Sequence, residues 1–281
     1  MEINKIDLYE YFNIEKAQDA KGYLIAYLHE TSNEYCVDKT RPATLVIPGG
    51  AYGFCSDREA EPVALNFLSK GHNSFVLYYS TKGSSNVEYP YQFLEGCMAV
   101  AYIRENAEKF SVCDENICAV GFSAGGHLCA MLATLTGENV VKDFLKDKAR
   151  LCRPNAVILS YPVITSGEFA HERSFNNLCG DREQLKEYLS LEKRVDKDSV
   201  PAYIWSTCED ASVPCENSLL MALAYKRAGV PFELHVFEKG IHGLSTCTEE
   251  VNTPLPDNEI WIDMAVTWLE NKGFRIKKKG N

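Results

Sequence analysis

The chain has 281 residues, of which 46% are hydrophobic, and this is enough apolar material for a large core. Its formal net charge of −10 disfavours nucleic acid as a partner, because surfaces that bind nucleic acid are normally basic. No apolar run is long enough to span a membrane, and the first residues lack the basic and apolar regions of a signal peptide. We therefore expect a cytoplasmic protein with no membrane partner.

Cysteine is frequent in this sequence, with eleven residues. None of them forms a C-x-x-C pair, and no group of cysteines and histidines has the spacing of a zinc site. Several, such as Cys118 and Cys129, stand within apolar patterns, where cysteine acts as a small hydrophobic residue. We expect reduced thiols in a reducing compartment, and no metal site.

Strand-like and helix-like segments alternate along the chain. In chain order the patterns predict a strand at 22–29, a strand at 44–47, a helix at 59–69, a strand at 74–79, a helix at 91–110, a strand at 116–120, a helix at 127–133, strands at 156–161 and 202–207, a helix at 214–228, a strand at 232–237 and a helix at 260–271. This alternation is typical of a mostly parallel sheet with helices on both faces. No repeat or low-complexity linker divides the chain, so we expect one α/β domain over residues 1–281.

One segment, 162–200, breaks this alternation. Its composition is charged and mixed, and it lies between two predicted sheet strands. We expect a helical insertion over the C-terminal edge of the sheet, where ligands bind in such folds.

The stretch Gly121-Phe122-Ser123-Ala124-Gly125 joins the strand at 116–120 to the following helix. It fits G-x-S-x-G, the nucleophile elbow, in which a tight strand-to-helix turn exposes the serine oxygen. The helix that follows directs its N-terminal N–H groups at developing negative charge. We therefore predict Ser123 as a nucleophile.

A serine nucleophile needs a base, and one of the six histidines is well placed for this role. His242 follows the last predicted strand and stands between Gly240 and Gly243, which let the loop bring the imidazole over the sheet edge. The others lie in strand patterns, in a turn, in the elbow helix and in the insertion: His29, His235, His72, His127 and His171. We predict His242 as the base.

The base in turn needs an acid that orients it. The loop after the strand at 202–207 contains both Glu209 and Asp210. Asp210 is the candidate by position, and Glu209 is the neighbour that could replace it. The order Ser123, Asp210, His242 is the chain order of the α/β-hydrolase triad.

The oxyanion hole is expected at the end of an earlier strand. Pro48-Gly49-Gly50-Ala51 directly follows the strand at 44–47, and its small residues let backbone N–H groups approach a substrate oxygen. We predict the N–H groups of Gly50, Ala51 and Ala124 as the donors.

These motifs resemble those of α/β-hydrolase esterases, especially the bacterial acetyl esterase and acetylxylan esterase-like group near the hormone-sensitive-lipase family. The resemblance extends from about Pro42 to Leu269. It rests on the Gly-Gly-x-Tyr turn, Ser-Asp-Arg-Glu-Ala at 56–60, the elbow, Val-Pro-x-Glu-Asn-Ser at 213–218, Gly-Val-Pro-Phe-Glu-Leu-His at 229–235 and His-Gly at 242–243. The oxyanion turn differs, because Pro-Gly-Gly-Ala stands where lipase-type relatives carry His-Gly-Gly-Gly.

The resemblance implies an α/β-hydrolase fold and a serine ester hydrolase without metal or organic cofactor. It also implies short-chain, especially acetyl, esters as substrates, with acetylated xylo-oligosaccharides among them. Tyr52, Phe54 and Tyr161 are candidate walls of a small acyl or sugar pocket.

Two other functions stay open at this point. A prolyl-oligopeptidase-type peptidase shares the fold and the triad order, although the chain has no region long enough for a propeller before the hydrolase motifs. A non-catalytic α/β-hydrolase would bind a small ligand, although such proteins usually lose a triad member and none is missing here. The sequence also leaves open whether the chain forms a homo-oligomer.

Overall fold

The computed structural model describes residues 1–17, 19–32, 34 and 38–278. The strands are β1 (Glu2–Asp7), β2 (Tyr23–Leu28), β3 (Lys39–Ile47), β4 (Asn73–Tyr78), β5 (Val112–Phe122), β6 (Ala156–Ser160), β7 (Ala202–Thr207), β8 (Phe232–Phe237) and β9 (Lys277–Lys278). The helices are α1 (Leu8–Phe12), α2 (Glu61–Ser69), α3 (Tyr91–Glu105), α4 (Ala124–Thr134), α5 (Asn139–Leu145), α6 (Glu172–Cys179), α7 (Glu183–Tyr188), α8 (Glu216–Ala228), α9 (Pro256–Glu259) and α10 (Trp261–Asn271).

The strands hydrogen-bond in the order β1-β2-β4-β3-β5-β6-β7-β8, and β9 pairs with the start of β3. From β4 through β8 every neighbouring pair is parallel. Only the β1–β2 and β2–β4 pairs at one edge, and the short β9 pairing, are antiparallel within the described residues. The prediction of a mostly parallel sheet is confirmed.

Side chains of the central strands alternate between two cores on opposite faces of the sheet. Leu45 and Ile204 belong to the core that includes residues of α3, α4 and α8. Val46 and Trp205 belong to the core that includes residues of α2 and α10. Helices therefore cover both faces, as the sequence predicts for an α/β fold.

Several element boundaries differ from the prediction. The helix predicted from residue 59 begins at Glu61, after a short 3-10 turn. Pro62 lies in its first turn, where the N–H that proline lacks would have no acceptor within the helix. The helix predicted at 91–110 ends at Glu105. The short helix α1 was not predicted; the Asp7 side chain caps it by accepting hydrogen bonds from the N–H groups of Tyr9 and Glu10.

The segment 162–200 contains α6, α7 and a 3-10 turn. Asn177 on α6 donates a 2.8 Å hydrogen bond to the carbonyl of Ala51, in the turn after β3. The carbonyl of Leu189 lies 2.8 Å from Nε2 of His127 on α4. The segment thus packs against elements at the C-terminal edge of the sheet.

That edge gathers the predicted site residues, because parallel strands end on the same side. Ser123 follows β5, Asp210 follows β7 and His242 follows β8. In the described part of the chain, no helix is both long enough and apolar enough to cross a membrane.

Candidate active site

Ser123 stands in a strained turn between β5 and α4, with φ 52° and ψ −118°. The turn requires glycine on both sides. A Cβ on Gly121 would lie 2.2 Å from the carbonyl oxygen of Gly125, and a Cβ on Gly125 would lie 2.1 Å from that of Ile47. The N–H of Ser123 donates a 3.0 Å hydrogen bond to Ser160, which fixes the turn against β6. Such strain is characteristic of functional sites.

His242 reaches Ser123 from the loop after β8. Its Nε2 lies 2.8 Å from the Ser123 Oγ. Gly240 and Gly243 both have positive φ, so the loop makes the turn that the sequence suggested. The Tyr161 ring packs edge-on against the imidazole, with 5.1 Å between ring centroids.

Asp210 contacts the other nitrogen of the imidazole. Its Oδ2 lies 2.6 Å from Nδ1 of His242, and its side chain is fully buried. The other oxygen accepts 2.9 Å hydrogen bonds from the N–H groups of Ser212 and Val213. These bonds fix the carboxylate, so it can orient the imidazole and stabilise its protonated form.

Glu209, the alternative acid, is exposed and does not contact the imidazole. Its Oε2 accepts a 3.0 Å hydrogen bond from the N–H of Gly240. It therefore braces the loop that carries His242. The contact with the imidazole favours Asp210 over Glu209 as the acid, and sequence position alone could not distinguish the two.

The three residues whose N–H groups are predicted to form the oxyanion hole lie close to Ser123. Ala124 is the first residue of α4, and Gly50 and Ala51 line the same cleft as Ser123. None of these three N–H groups has a hydrogen-bond acceptor within the part of the chain that the structure describes. Ala51 adopts a φ of 53°, so the alanine carries the strain that a glycine would avoid.

The cleft over Ser123 and His242 has a volume of about 200 Å³. Phe54 lines it and is 55% exposed. Of the three predicted pocket walls, the structure therefore places Phe54 at the cleft, whereas Tyr52 and Tyr161 are not among its lining residues. The chain reverses at residues 50–52 and buries Tyr52, whose hydroxyl lies 2.8 Å from Nδ1 of His127. Tyr161 lies beneath the imidazole rather than beside the substrate space.

A comparison with protein-family models matches residues 34–225 to the BD-FAE model, which is more than half of the chain. The chain belongs to the BD-FAE family.

Two known proteins are similar to this BD-FAE member over most of its length. The endo-1,4-beta-xylanase B of Butyrivibrio fibrisolvens is 40% identical over 243 residues, which are 85% of this chain and 37% of that protein. The acetylxylan esterase of Xylanibacter ruminicola is 26% identical over 83% of this chain and 45% of that protein. The chain thus spans less than half the length of these curated relatives.

A solved structure matches over nearly the full length. The acetyl ester-xyloside bifunctional hydrolase from Caldicellulosiruptor lactoaceticus superposes with a TM-score of 0.84 at 34% identity, covering 97% of both chains. The α/β-hydrolase fold of this BD-FAE chain is therefore shown.

Glu59 is a site residue that the sequence analysis did not single out. Its carboxylate is buried beneath the cleft and accepts hydrogen bonds from the N–H of Gly49, at 2.8 Å, and the hydroxyl of Tyr161, at 2.7 Å. Burial raises the pKa of Glu59 above its ordinary value. The carboxylate joins the oxyanion turn to the ring beneath the imidazole. The only sequence signal was its place in Ser-Asp-Arg-Glu-Ala, one of the motifs behind the family resemblance.

Two histidines outside the triad, His127 and His171, differ in their surroundings. His127 is buried between Tyr52 and Leu189, and burial lowers its pKa to about 4. It is a packed, neutral residue of α4. His171 lines the cleft, and its Nδ1 lies 2.7 Å from the hydroxyl of Ser174. The segment 162–200 thus brings His171 to the same cleft as Ser123 and His242.

Among the described residues, no group of three or more His, Cys, Asp or Glu side chains is arranged to hold a metal ion. The groups that meet at the cleft are a hydroxyl, an imidazole, a carboxylate and unpaired N–H groups. Together they can carry out nucleophilic attack on a carbonyl carbon.

Proposed function

We propose that this chain is a serine ester hydrolase that cleaves short acyl esters, acetyl esters above all, through an acyl-serine intermediate. The observation that carries the proposal is the continuous hydrogen-bond chain from Ser123 through His242 to Asp210, at the floor of an open cleft. Unpaired N–H groups beside the serine supply the second requirement of acyl transfer.

The reaction follows from these positions. His242 Nε2 takes the proton of the Ser123 hydroxyl as Oγ attacks the ester carbonyl carbon, and Asp210 stabilises the imidazolium that forms. The N–H groups of Ala124, Gly50 and Ala51 hold the oxyanion. The imidazolium then protonates the departing alcohol oxygen. Water attacks the acyl-serine with His242 again as base, and the acid is released.

The cleft volume and the relatives support an acetyl group as the acyl part. A cleft of about 200 Å³ is smaller than the pockets that usually bury larger ligands. The names of the Xylanibacter acetylxylan esterase and the Caldicellulosiruptor acetyl ester-xyloside hydrolase support an acetylated xylo-oligosaccharide as the whole substrate.

The proposal also covers the domain organisation, the location and the partners of the protein. We infer one domain over residues 1–281, with 162–200 as a helical insertion above the cleft. We also infer a cytoplasmic protein whose partners are small-molecule esters, without nucleic acid or membrane. The ten cysteines within the described residues are free thiols, which suits a reducing compartment.

The test is hydrolysis of p-nitrophenyl acetate, butyrate and octanoate by the purified protein and by Ser123→Ala. We expect turnover that falls steeply as the acyl chain lengthens, and a loss of at least about a thousandfold in kcat for Ser123→Ala. Ser69→Ala, which changes an exposed serine on α2, is the matched control and should retain wild-type rates.

Retained activity in Ser123→Ala would overturn the assignment of the nucleophile. Absence of serine-dependent turnover on all three esters would favour the peptidase or the ligand-binding protein instead. Peptide substrates and a ligand-stabilisation screen would then separate those two functions.

A further inference from the structure

A second cavity, of about 400 Å³, adjoins the cleft on the side of the antiparallel edge of the sheet. Phe54 lines both cavities and is 55% exposed. Its side chain therefore lies between the two cavities and separates them only in part. A ligand whose reacting carbonyl lies at Ser123 can extend past Phe54 into this second cavity without crossing the protein core.

Two tyrosines form one wall of the second cavity, which we call the tyrosine pocket. Tyr23 of β2 and Tyr78 of β4 are direct partners in the antiparallel ladder. Their rings stack with 4.9 Å between centroids and 10° between planes. Both residues are half-buried, so part of each ring borders the cavity. Stacking covers one face of each ring, and Nζ of Lys5 lies 4.0 Å from the centroid of the Tyr23 ring. The pair therefore offers the cavity its ring edges, its hydroxyls and the outer face of Tyr78 as a fixed aromatic contact.

Unpaired polar groups surround this aromatic wall. Lys21 and Asp57 line the pocket, and neither side chain forms an ion pair or hydrogen bond with another described residue. The hydroxyls of Tyr23 and Tyr78 likewise have no protein partner in the described part of the chain. These groups remain able to bond a ligand that carries hydroxyls.

We propose that the tyrosine pocket binds a sugar ring in the alcohol part of the substrate while the ester lies over Ser123. A pyranose has C–H groups that can pack against the exposed parts of the tyrosine pair and hydroxyls that can bond the polar groups around it, and the pocket presents both. The exposed charges of Lys21 and Asp57 make the rim of the pocket polar, which suits a ligand with hydroxyls better than an alkyl chain. This inference rests on the proposed function and assigns the part of the substrate that the cleft is too small to hold.

The experiment compares two substrates on each variant. For wild type, Tyr78→Ala and Tyr23→Ala, kcat/KM is measured with an O-acetylated xylo-oligosaccharide and with p-nitrophenyl acetate, which has no sugar ring. We expect the ratio of the two values to fall about fivefold to tenfold in each variant, through a higher KM for the sugar ester. Tyr11→Ala, at an exposed tyrosine on α1, is the matched control and should keep the wild-type ratio.

Tyr23 and Tyr78 contribute to packing, so their alanine variants can lose stability. A second pair of variants tests the pocket without changing these strands. Asp57→Ala and Lys21→Ala change exposed side chains of the same pocket and should also lower the ratio. If the wild type hydrolyses both esters and folded variants of all four residues keep its ratio, the sugar site is refuted and the proposed function stands. If wild type shows no Ser123-dependent turnover of p-nitrophenyl acetate, the proposed function fails, and this inference fails with it.

Discussion

At the scale of single residues, two neighbouring acids support the candidate base from different sides. Asp210 contacts the imidazole itself, whereas Glu209 holds the backbone of the loop at Gly240. The first contact orients the imidazole and stabilises its charge during reaction, and the second affects only where the loop rests. The two carboxylates should therefore differ widely in their effect on rate.

Replacing each acid by its amide tests this difference. Asp210→Asn should lower kcat on p-nitrophenyl acetate by about a thousandfold or more, because an amide cannot stabilise the imidazolium and favours the wrong tautomer. Glu209→Gln is the matched control. It retains an oxygen that can accept from Gly240, so we expect a loss of less than about tenfold. A larger effect for Glu209→Gln than for Asp210→Asn would exchange their roles.

The sequence allowed individual site residues to be predicted where local chemistry restricts the choice. Ser123 was recognisable from its flanking glycines, and His242 from its glycine-rich loop after a strand. Glu59 was not, because its role depends on contacts with Gly49 and Tyr161 that no spacing rule describes. The burial of Tyr52 was not foreseen either, because it depends on the positive φ values at 50–52, which bring its ring into the core.

At the scale of elements, the elbow depends on how closely α4 approaches the end of β3. A Cβ at Gly125 would lie 2.1 Å from the backbone oxygen of Ile47 and 2.4 Å from that of Pro48, and neither can move without shifting the strand. The glycine is therefore required by packing between a helix and a strand, in addition to any role in the turn.

Gly125→Ala should consequently lower the free energy of unfolding by at least about 2 kcal/mol, measured by chemical denaturation. Gly137→Ala is the control, because a Cβ there meets nothing within 4 Å, and its effect should stay within about 0.5 kcal/mol. Equal stability of the two variants would show that the close approach at the elbow has no energetic consequence.

The elements whose limits were predicted most accurately are two strands with clear boundaries. The predicted limits of the strands at 202–207 and 232–237 are the observed ones, because Pro201 and Pro231 directly precede these strands and polar residues follow them. The strand β1 was missed because its residues are exposed or half-exposed and show no apolar pattern. It is defined by pairing with β2, which is a long-range contact.

At the scale of the whole molecule, a buried carboxylate joins the N-terminal elements to the body of the fold. Glu95 on α3 accepts hydrogen bonds from the hydroxyl of Tyr9, at 2.9 Å, and from the N–H of Ser80, at 2.6 Å. Burial raises its pKa from 4.5 to about 7. The folded protein therefore holds a proton on Glu95 that the unfolded chain releases at lower pH.

This shift predicts how stability depends on pH. The contribution of Glu95 is fully present below pH 4.5 and is lost as the pH rises through 7, since the unfolded state binds fewer protons over that range. The loss amounts to roughly 3 kcal/mol. Glu95→Gln removes the titration, so its free energy of unfolding should fall less between pH 5 and pH 8 than that of the wild type. Identical pH profiles would contradict the account of this carboxylate.

The central claim concerns the whole site: Ser123 is the nucleophile, activated by His242. A fluorophosphonate ester tests it directly, because the serine oxygen forms a bond to phosphorus as fluoride leaves. Mass spectrometry of the digested protein should show a single phosphonyl adduct on the peptide that contains Ser123. The adduct should be absent from Ser123→Ala and form far more slowly in His242→Ala. An adduct on another residue, or ester turnover that persists without any adduct, would contradict the claim.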